Sequence, residues 1–299
     1  MATNRHIDPR PLMEWIIPQT TQCYTRRDTA LYALSVGLGQ RANDERQLNF
    51  IDPWSEQLTA LPTMALVLAY PGYWLGAPEV ERATGISSGQ ILHVSQAVEL
   101  HATLPTEGDV VSDTKVTGIV DKGRERGSLL HSERRIHNQA NGALVAICRQ
   151  THFLRGAGGF GNVGDAEPVP EPIPSGEPDF IVQHSTRPEQ ALLYRLNGDQ
   201  NPLHINWAAA HAAGFNKPLL HGMCTIGIVL HGVLDAAANY ESCLIRSFEL
   251  QMSAPVFPGD SIRTEIWKDG TFRARVMERD SLVVDRGRAM IGAPELCIG

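Results

Sequence analysis

The chain lacks the apolar runs that a membrane protein needs. No stretch of its 299 residues approaches the roughly 20 consecutive apolar positions of a membrane-spanning helix. The first ten residues, MATNRHIDPR, are polar and do not resemble a signal peptide. Hydrophobic residues make up 42% of the sequence and charged residues 20%, which is ordinary for a soluble globular protein. We therefore expect no membrane partner.

Basic residues are scarce as well. The formal net charge is -7, and no run of Lys and Arg interrupts the acidic balance. A protein that binds nucleic acid generally presents a basic patch or stripe to the phosphates. The composition therefore predicts no nucleic-acid partner.

Cysteines are few, odd in number and scattered, without the spacing of metal ligands. This pattern predicts reduced thiols in a cytosol-like compartment and no metal site. The last residues lack the Ser-Lys-Leu type of peroxisomal address, so the cytoplasm is the predicted location. The five cysteines are Cys23, Cys148, Cys224, Cys243 and Cys297.

The first half of the chain reads as a mixture of helices and strands. Thr25 and Asp28 have the spacing of a capping box and predict a helix start. Residues 61–70 are apolar and favour a buried helix. Residues 90–155 alternate between apolar and polar positions, which is typical of an antiparallel meander. Residues 161–177 are rich in Pro, Gly and acidic residues, the composition of an extended linker.

The second half follows the same plan. Thr186 and Glu189 predict another capping box. A short helix is predicted over residues 207–213 and a long one from about 221 to 240, with apolar residues on one stripe at helical spacing. Three glycines in the long helix would let it lie close against a sheet. Residues 243–291 return to alternating strands.

A polar loop between the predicted helices of the second half carries an acid, Asp199, and a possible base, His204. A regular helix would set these two side chains roughly 140° apart. Pro202 instead removes a backbone donor and pushes Asn201 away from the helical region, so we expect an irregular loop. Such a loop can direct both side chains into one cleft.

The first half has no equivalent of this pair. The run LYAL that starts at Leu31 recurs as LYRL starting at Leu193, so the halves are internal repeats. At the same offset the acid and the imidazole correspond to Gly37 and Ala42. Only the second half is therefore predicted to carry chemistry.

The pattern Y-x-L-x-G-D-x-N-P-L-H over residues 194–204 resembles the signature of the (R)-specific enoyl-CoA hydratases, the MaoC-like hydratase 2 family. Residues 217–225, KPLLHGMCT, resemble the family's second block, and residues 155–161 and 255–260 add to the likeness. The sequence is particularly similar to the hydratase domain of the peroxisomal multifunctional enzymes type 2.

The resemblance implies an α+β double hotdog fold, in which each repeat wraps an antiparallel sheet around a long central helix. Residues 1–160 would form the repeat without the dyad, which supports acyl and coenzyme A binding. Residues 161–177 would be the linker, and residues 178–299 would form the catalytic repeat. A homodimer is also expected.

The resemblance further implies how the site would work. Asp199 and His204 would activate one water for addition to the β-carbon of a trans-2-enoyl thioester and supply the proton to the α-carbon, giving the (3R)-3-hydroxyacyl product. Asn201 would orient the dyad, although an Asn before Pro is also an ordinary turn residue. Gly222 would offer a backbone N–H to the thioester oxygen as it becomes enolate-like. No metal or redox cofactor is expected, since coenzyme A belongs to the substrate.

Further positions are implied to bind the acyl-CoA substrate. Val94 stands where relatives often carry Gly, and this departure weakens the case for a backbone contact there. Met252 replaces a more usual aromatic residue and is expected to reshape the pocket. Lys122 is expected to reach the coenzyme A phosphates, with Arg124 and Arg126 nearby as solvated charges. The complete predicted set is His93, Val94, Lys122, Gln200, Pro202, Leu203 and Met252.

Two other motifs are less convincing. Residues 156–161 match G-x-G-x-x-G, but no helix follows to receive a pyrophosphate, so a dinucleotide site is not predicted. Cys224 beside His221 could be a nucleophilic pair, yet nothing else supports this, and a core thiol is the better interpretation.

Alternatives to hydration remain open at this point. The chain could dehydrate a specialised acyl thioester, for instance a branched or ring-bearing one. A thioesterase of the same fold is less favoured, because the Asp-x-Asn-Pro-x-His loop is characteristic of hydration. A non-catalytic acyl-CoA-binding module would be expected to have lost the dyad.

Overall fold

The computed structural model describes residues 7–41, 44–168 and 170–292. Its α-helices are α1 (Arg26–Ser35), α2 (Leu48–Ile51), α3 (Pro78–Thr84), α4 (Gln190–Arg195), α5 (Trp207–Ala212) and α6 (Gly222–Ala238). Short 3-10 helices cover Arg10–Glu14, Glu45–Gln47, Pro62–Leu66, Trp74–Gly76, Ser88–Gln90, Pro202–His204 and Ser242–Leu244.

The strands are β1 (Thr20–Tyr24), β2 (Ile91–Leu100), β3 (Gly108–Asp121), β4 (Gly127–Asn138), β5 (Leu144–Arg155), β6 (Val163–Gly164), β7 (Phe180–Ser185), β8 (Ile245–Met252), β9 (Ser261–Ile266), β10 (Thr271–Val276) and β11 (Ser281–Ile291). The meander predicted over residues 90–155 is therefore confirmed as strands. Among the described helices, none is long and apolar enough to cross a membrane.

The strands form one sheet whose order shows the internal repeat. The first half contributes β1-β3-β4-β5-β2, and the second half contributes β7-β9-β10-β11-β8 in the same pattern, with β6 added beside β3. The two halves join where β2 pairs antiparallel with β8, and Val98 lies opposite Phe248 at this junction. The helices that carry the repeated sequence also meet, since the rings of Tyr32 and Tyr194 lie 6.3 Å apart.

Helix α6 fills the centre of the second half. Its residues are almost all buried, so it is apolar around most of its circumference rather than on a single stripe. It ends at Asn239, which adopts a left-handed conformation with a φ of 46°. The predicted long helix is confirmed, and its first residue, Gly222, lies next to the loop that carries Asp199 and His204.

Two glycines of α6, Gly227 and Gly232, face different parts of the protein. A Cβ on Gly232 would meet Thr264 on β9 at 3.5 Å, an ordinary contact with the sheet. A Cβ on Gly227 would lie 2.4 Å from Val36 Cγ1, so this glycine lets the first half of the chain approach the helix. The predicted contact between the long helix and a sheet is therefore found at Gly232, whereas Gly227 faces the end of α1.

In the first half the central helix is much shorter than expected. Residues 61–70 are largely buried, as predicted, but only Pro62–Leu66 are helical, in the 3-10 form. The Arg134 guanidinium donates to the carbonyl oxygens of Ala65 and Leu66, each at 3.0 Å, and also to that of Leu68. This buried cation takes the carbonyls that a longer helix would use, and the left-handed Ala69 then turns the chain outward. The long central helix is therefore present only in the second half.

The two predicted capping boxes have different outcomes. At the start of α1, Thr25 and Asp28 form the predicted box, with the Thr25 N–H donating to Asp28 Oδ2 at 2.8 Å. The prediction at Thr186 and Glu189 is wrong, because α4 begins only at Gln190 and has no side-chain cap. The Thr186 hydroxyl instead donates to the Asp260 carbonyl oxygen at 2.9 Å, which ties the start of this segment to the β8–β9 connection.

The segment predicted as a linker runs along the sheet in an extended form. It contributes β6, and the Asp165 N–H donates to the Thr117 carbonyl oxygen on β3 at 3.0 Å. Further along, Trp267 Nε1 donates to the Gly176 carbonyl oxygen at 3.3 Å. The segment therefore packs against both halves of the sheet.

The cysteines agree only partly with their prediction. Cys23, Cys148 and Cys224 are free thiols, the latter two buried. Cys243 is disulfide-bonded, so the expectation that all thiols are reduced is wrong at that position. Spacing along the chain does not show which thiols a fold brings together. Cys297, like Ala42, lies outside the described residues.

Buried histidines make the stability of this fold sensitive to acid. The rings of His184 on β7 and His231 on α6 lie 4.2 Å apart. Burial lowers the pKa of His184 to about 4, Arg41 adds to this effect, and Asp235 opposes it. In the unfolded chain this group would bind a proton below a pKa of about 6.5. The folded state is therefore at full stability above that pH and loses stability as pH falls from about 6.5 to 4.

We expect a His184→Phe variant to lose part of this acid sensitivity. The free energy of unfolding, measured with urea at several pH values between 7 and 4, should fall less steeply than in the wild type, by up to about 1.4 kcal/mol per pH unit for one proton. Identical slopes for the two proteins would contradict the assignment of a neutral buried His184.

Candidate active site

The loop between α4 and α5 is held in a fixed shape by its own hydrogen bonds. The Asn201 side-chain oxygen accepts from the Leu203 N–H at 3.0 Å and caps the 3-10 turn Pro202–His204. The Arg195 guanidinium donates to the carbonyl oxygens of Gln200 and Asn201, each at 3.0 Å. As predicted, the chain is irregular here, and the loop shape rather than a helix sets the direction of its side chains.

Asp199 is oriented by this loop. Its Oδ1 accepts the Asn201 N–H at 2.8 Å, while its side chain remains 20% exposed. Asn201 thus positions the acid through its backbone, and its side chain supports the turn. The predicted role of orienting the dyad remains a proposal, with the backbone N–H as the group that contacts Asp199.

The hydrogen bond of His204 decides which of its nitrogens can act as a base. Nδ1 lies 3.0 Å from the Leu219 carbonyl oxygen, which can only accept, so Nδ1 carries the proton in the neutral ring. Nε2 is then left with a free lone pair. Burial is the main cause that lowers the pKa of His204, with Arg195 adding to it, while Asp199 and the Leu219 carbonyl oppose it. The ring is therefore neutral, and able to accept a proton, over a wider acidic range than a solvated histidine.

A third group, His221, lies against the dyad. Its ring stacks on that of His204 with centroids 3.8 Å apart, and its Nε2 is 4.0 Å from Asp199 Oδ2. It is 1% exposed, and neither ring nitrogen has a hydrogen-bond partner. The only role that the sequence analysis weighed for His221 was that of a partner of Cys224 in a nucleophilic pair. The Cys224 thiol is buried and bonds to the Ser35 carbonyl oxygen, which agrees with a core thiol.

The N-terminus of α6 faces the same place. The first N–H that bonds within this helix is that of Thr225, to the His221 carbonyl oxygen at 3.0 Å, so the N–H groups of the preceding residues have no acceptor in the helix. A Cβ on Gly222 would meet Met252 Sδ at 2.8 Å. Gly222 and Met252, predicted separately, are therefore neighbours. Ser95 pairs with Gln251, and the next positions along these strands are Val94 and Met252.

The first half contributes a side chain that sequence patterns did not reveal. Tyr70 follows the buried 3-10 segment, and its ring lies 5.6 Å from the Arg134 guanidinium carbon. Burial raises the pKa of Tyr70 above its ordinary range, and the carboxylate of Asp199 adds to this. On the other side, the Tyr194 ring lies 5.0 Å from that of His221. Tyr194 is the first residue of the signature over residues 194–204, whereas Tyr70 reaches the loop only through the long-range fold, which is why no local motif indicated Tyr70.

The predicted acyl-CoA contacts of the first half lie on β2 and directly after β3. His93 stacks on His152 with ring centroids 5.1 Å apart, and burial lowers the pKa of His93 to about 4. Val94 sits at an irregularity where β2 shifts register against β5. Within the described part of the chain, neither His93 nor Lys122 forms a hydrogen bond or ring contact with the Asp199 loop. Their predicted roles remain proposals.

The glycine-rich segment acts as a support for the Lys122 turn. The N–H groups of Gly159, Phe160 and Gly161 donate to the Asp121 carboxylate at 2.7 to 2.9 Å. These bonds lower the pKa of Asp121 to about 2. The donors that a dinucleotide phosphate would require are thus directed at a side chain of the same protein, and Lys122 follows directly after it.

The remaining predicted substrate positions belong to the loop itself. Gln200 and Pro202 are exposed, and Leu203 is half-buried. The Leu203 carbonyl oxygen accepts from the Leu219 N–H at 3.4 Å, which closes the loop onto the strand-like segment before α6. These three residues therefore belong to the loop that carries the dyad. A contact with substrate remains a proposal for each of them.

Asp199, His204 and His221 are also residue types that can hold a metal ion. A carboxylate oxygen of Asp199 and one nitrogen each of His204 and His221 lie within 4.8 Å of one another. However, stacked rings direct their lone pairs side by side instead of at one point. The arrangement suits proton transfer better than metal binding.

Comparison with known proteins identifies the family of this chain. A family model described as the MaoC like domain matches residues 171–286, and one described as the MFE-2 hydratase 2 N-terminal domain matches residues 23–156. The chain is 32% identical over 285 residues to a peroxisomal enoyl-CoA hydratase 2 of Arabidopsis thaliana, with 90% of each protein covered.

Solved structures show the same architecture. A MaoC-like dehydratase from Phytophthora capsici superposes with a TM-score of 0.81 at 28% identity, covering 95% of this chain and 99% of the other. A Mycobacterium tuberculosis protein with a double hotdog fold matches with a TM-score of 0.54 at 16% identity, covering 91% and 93% of the two chains. The predicted α+β double hotdog is thereby confirmed. With both family domains in order and the acid and imidazole of the signature side by side, the chain belongs to the MaoC-like hydratase 2 family.

Proposed function

We propose that this protein hydrates trans-2-enoyl-CoA reversibly to (3R)-3-hydroxyacyl-CoA, using a water activated by Asp199 and His204. The observation that carries the proposal is the bond of His204 Nδ1 to the Leu219 carbonyl oxygen, which leaves the Nε2 lone pair free. The imidazole and the Asp199 carboxylate belong to one cluster, with a ligand atom of each within 4.8 Å of the other. An acid and a neutral imidazole around one water suit general acid–base catalysis. The (3R) configuration follows from the resemblance to the hydratase 2 signature.

The reaction balances without a further reagent. The water oxygen forms a bond to the β-carbon while one of its protons passes to the dyad, and the electron pair of the double bond moves onto the α-carbon and the thioester oxygen. The dyad then returns a proton to the α-carbon. In the enolate-like stage, the N–H groups at the start of α6 would stabilise the negative oxygen. No redox step occurs, so the proposal includes no cofactor.

The substrate would approach along the junction of the two halves. Gly222, Met252 and Val94 would border the thioester and the first acyl carbons, and Tyr70 would border the dyad from the first half. Lys122 would bind coenzyme A phosphates, with His93 nearer the acyl-thioester. The division into a supporting repeat and a catalytic repeat is part of this proposal, as are a homodimer and a cytoplasmic location.

Dehydration of a specialised 3-hydroxyacyl thioester is the second candidate. Met252 and Val94 favour it, because both replace residues that relatives use at the pocket wall and so indicate an unusual acyl group. A silent binding module is disfavoured because the loop, its clamp Arg195 and the dyad are all in place.

A panel of straight, branched and ring-bearing acyl thioesters tests these candidates. We expect loss of the conjugated enoyl absorbance on addition of enzyme to at least one enoyl-CoA, without release of free coenzyme A thiol. Thiol release would indicate a thioesterase. Tight binding of every member with no turnover in either direction would contradict the hydratase proposal and favour a binding module.

A further inference from the structure

His221 is a buried group whose hydrogen-bonding capacity is not used. Both ring nitrogens are buried and without partners, although the ring lies in a polar cluster. A buried polar group without a partner is costly, so such a group generally has one in the working state of a protein. The acceptor closest to His221 Nε2 is Asp199 Oδ2, at 4.0 Å.

Asp199 is able to close this gap. Its Oδ1 is held by the Asn201 N–H, whereas Oδ2 has no hydrogen-bond donor in the described structure. It follows Gly198, which has a φ of 106° that favours glycine, and its side chain is partly exposed. A movement of about 1 Å would bring Oδ2 to the normal hydrogen-bond distance of roughly 2.9 Å from Nε2. Catalytic hydrogen bonds are often long without substrate and tighten in the complex.

We propose that His221 is a positioning residue that donates its Nε2–H to Asp199 Oδ2 when substrate closes the loop, while its ring supports the stacked His204. This inference rests on the proposed function. The His221 ring would then hold both members of the dyad in position. It would orient Asp199 through a hydrogen bond and His204 through ring stacking. The second lone pair of each Asp199 oxygen stays free for the water.

The electrostatic surroundings keep His221 neutral in this role. Burial lowers the pKa of His221 to about 2, and the charges of His204 and Arg195 add to the effect. The ring therefore remains a neutral donor at any pH at which the fold is stable and does not compete with His204 for the reacting proton. The titratable and charged groups near it are Asp199, His204, Arg195, Tyr194 and Tyr70.

Two variants separate the donor from the ring. His221→Phe keeps a stacked ring and removes the N–H, and should lower kcat by about 10- to 100-fold with KM little changed, because a displacement of 1 Å at a catalytic group can cost that much. His221→Gln places an amide N–H near the Nε2 position and should recover most of the loss. In the Phe variant the acid limb of kcat, which reports the enzyme–substrate complex, should move to higher pH, since a hydrogen bond to the charged form of a carboxyl group favours that form.

The matched control is His184→Phe. His184 on β7 is also buried, has two unpartnered nitrogens and lies against the ring of another histidine, but that histidine is His231 of α6 and not a residue of the Asp199 loop. Its replacement should leave kcat and the pH profile unchanged. An equal fall in kcat for the control, a fully active His221→Phe, or a His221→Gln variant as impaired as the Phe variant would each overturn the proposal.

A spectroscopic measurement keeps this inference separate from the proposed function. In protein with nitrogen-15-labelled histidine and a bound 3-hydroxyacyl-CoA, His221 should show a protonated Nε2 and an unprotonated Nδ1, and the Nε2–H signal should shift in Asp199→Ala. If dyad variants are inactive but this signal is insensitive to Asp199, the positioning role fails and the function stands. If the signal responds but no enoyl-CoA is hydrated, the function fails and the contact stands.

Discussion

Asp199→Asn and His204→Ala should each lower kcat for enoyl-CoA hydration by about 10²–10⁴-fold, the effect of losing a positioned proton-transfer group. In Asp199→Asn the side-chain oxygen can still accept the Asn201 N–H, so the loop should keep its shape while losing the carboxylate. In His204→Ala the imidazole and its free lone pair are removed. The circular dichroism spectrum should remain that of the wild type in both.

His211→Ala is the matched control for the imidazole. His211 is exposed on α5, where its Nε2 bonds to the Asn216 carbonyl oxygen at 3.2 Å and its ring lies 6.0 Å from that of Trp207, so its loss should leave turnover unchanged. Near-normal turnover in both dyad variants, with unchanged spectra, would refute the assignment of the acid and the base. A comparable loss in His211→Ala would show instead that this region is sensitive to any change.

Gly222→Ala should lower kcat by about 10²–10³-fold, the usual effect of losing one oxyanion donor, with little change in thermal stability. The backbone N–H cannot be deleted, but a Cβ would block the thioester oxygen from reaching it. The added Cβ would lie 2.8 Å from Met252 Sδ, the flexible part of a side chain that can move aside. Ala also has a helix propensity advantage of up to about 1 kcal/mol over Gly.

Two further variants distinguish this role from simple packing. Gly227→Ala places a Cβ 2.4 Å from the branched Val36 side chain, so it should lower the melting temperature while activity per folded molecule is kept. The double variant Gly222→Ala with Met252→Ala makes room for the Cβ and should not regain activity if the N–H is the essential group. Recovery of kcat in the double variant would show that displaced Met252, not the lost donor, caused the defect.

The local parts of the fold were readable in the sequence because local chemistry determines them. The alternation of residues 90–155, the glycines and apolar residues of α6, and the Thr25 cap all act over a few residues, and the structure shows each. The Asp199–His204 loop was found because Pro202 prevents a regular helix and because the residue types at fixed spacing are distinctive. Asp199 and His204 indeed lie side by side.

What the sequence did not reveal depends on contacts between distant residues. The first central helix is short because the guanidinium of Arg134, far along the chain, binds its carbonyl groups. Thr186 does not cap a helix because the Asp260 carbonyl offers its hydroxyl a different partner. His221 and Tyr70 join the site only through the packing of α6 and of the first half. None of these contacts leaves a periodic or spaced signal.

The most direct test of the central claim is the configuration of the hydration product. The enzyme is incubated with a trans-2-enoyl-CoA, and the 3-hydroxyacyl-CoA formed is separated into enantiomers, with Asp199→Asn run in parallel. We predict only the (3R) product from the wild type and almost none of either enantiomer from the variant. A (3S) product, or equal product from the variant, would contradict hydration by the Asp199–His204 pair.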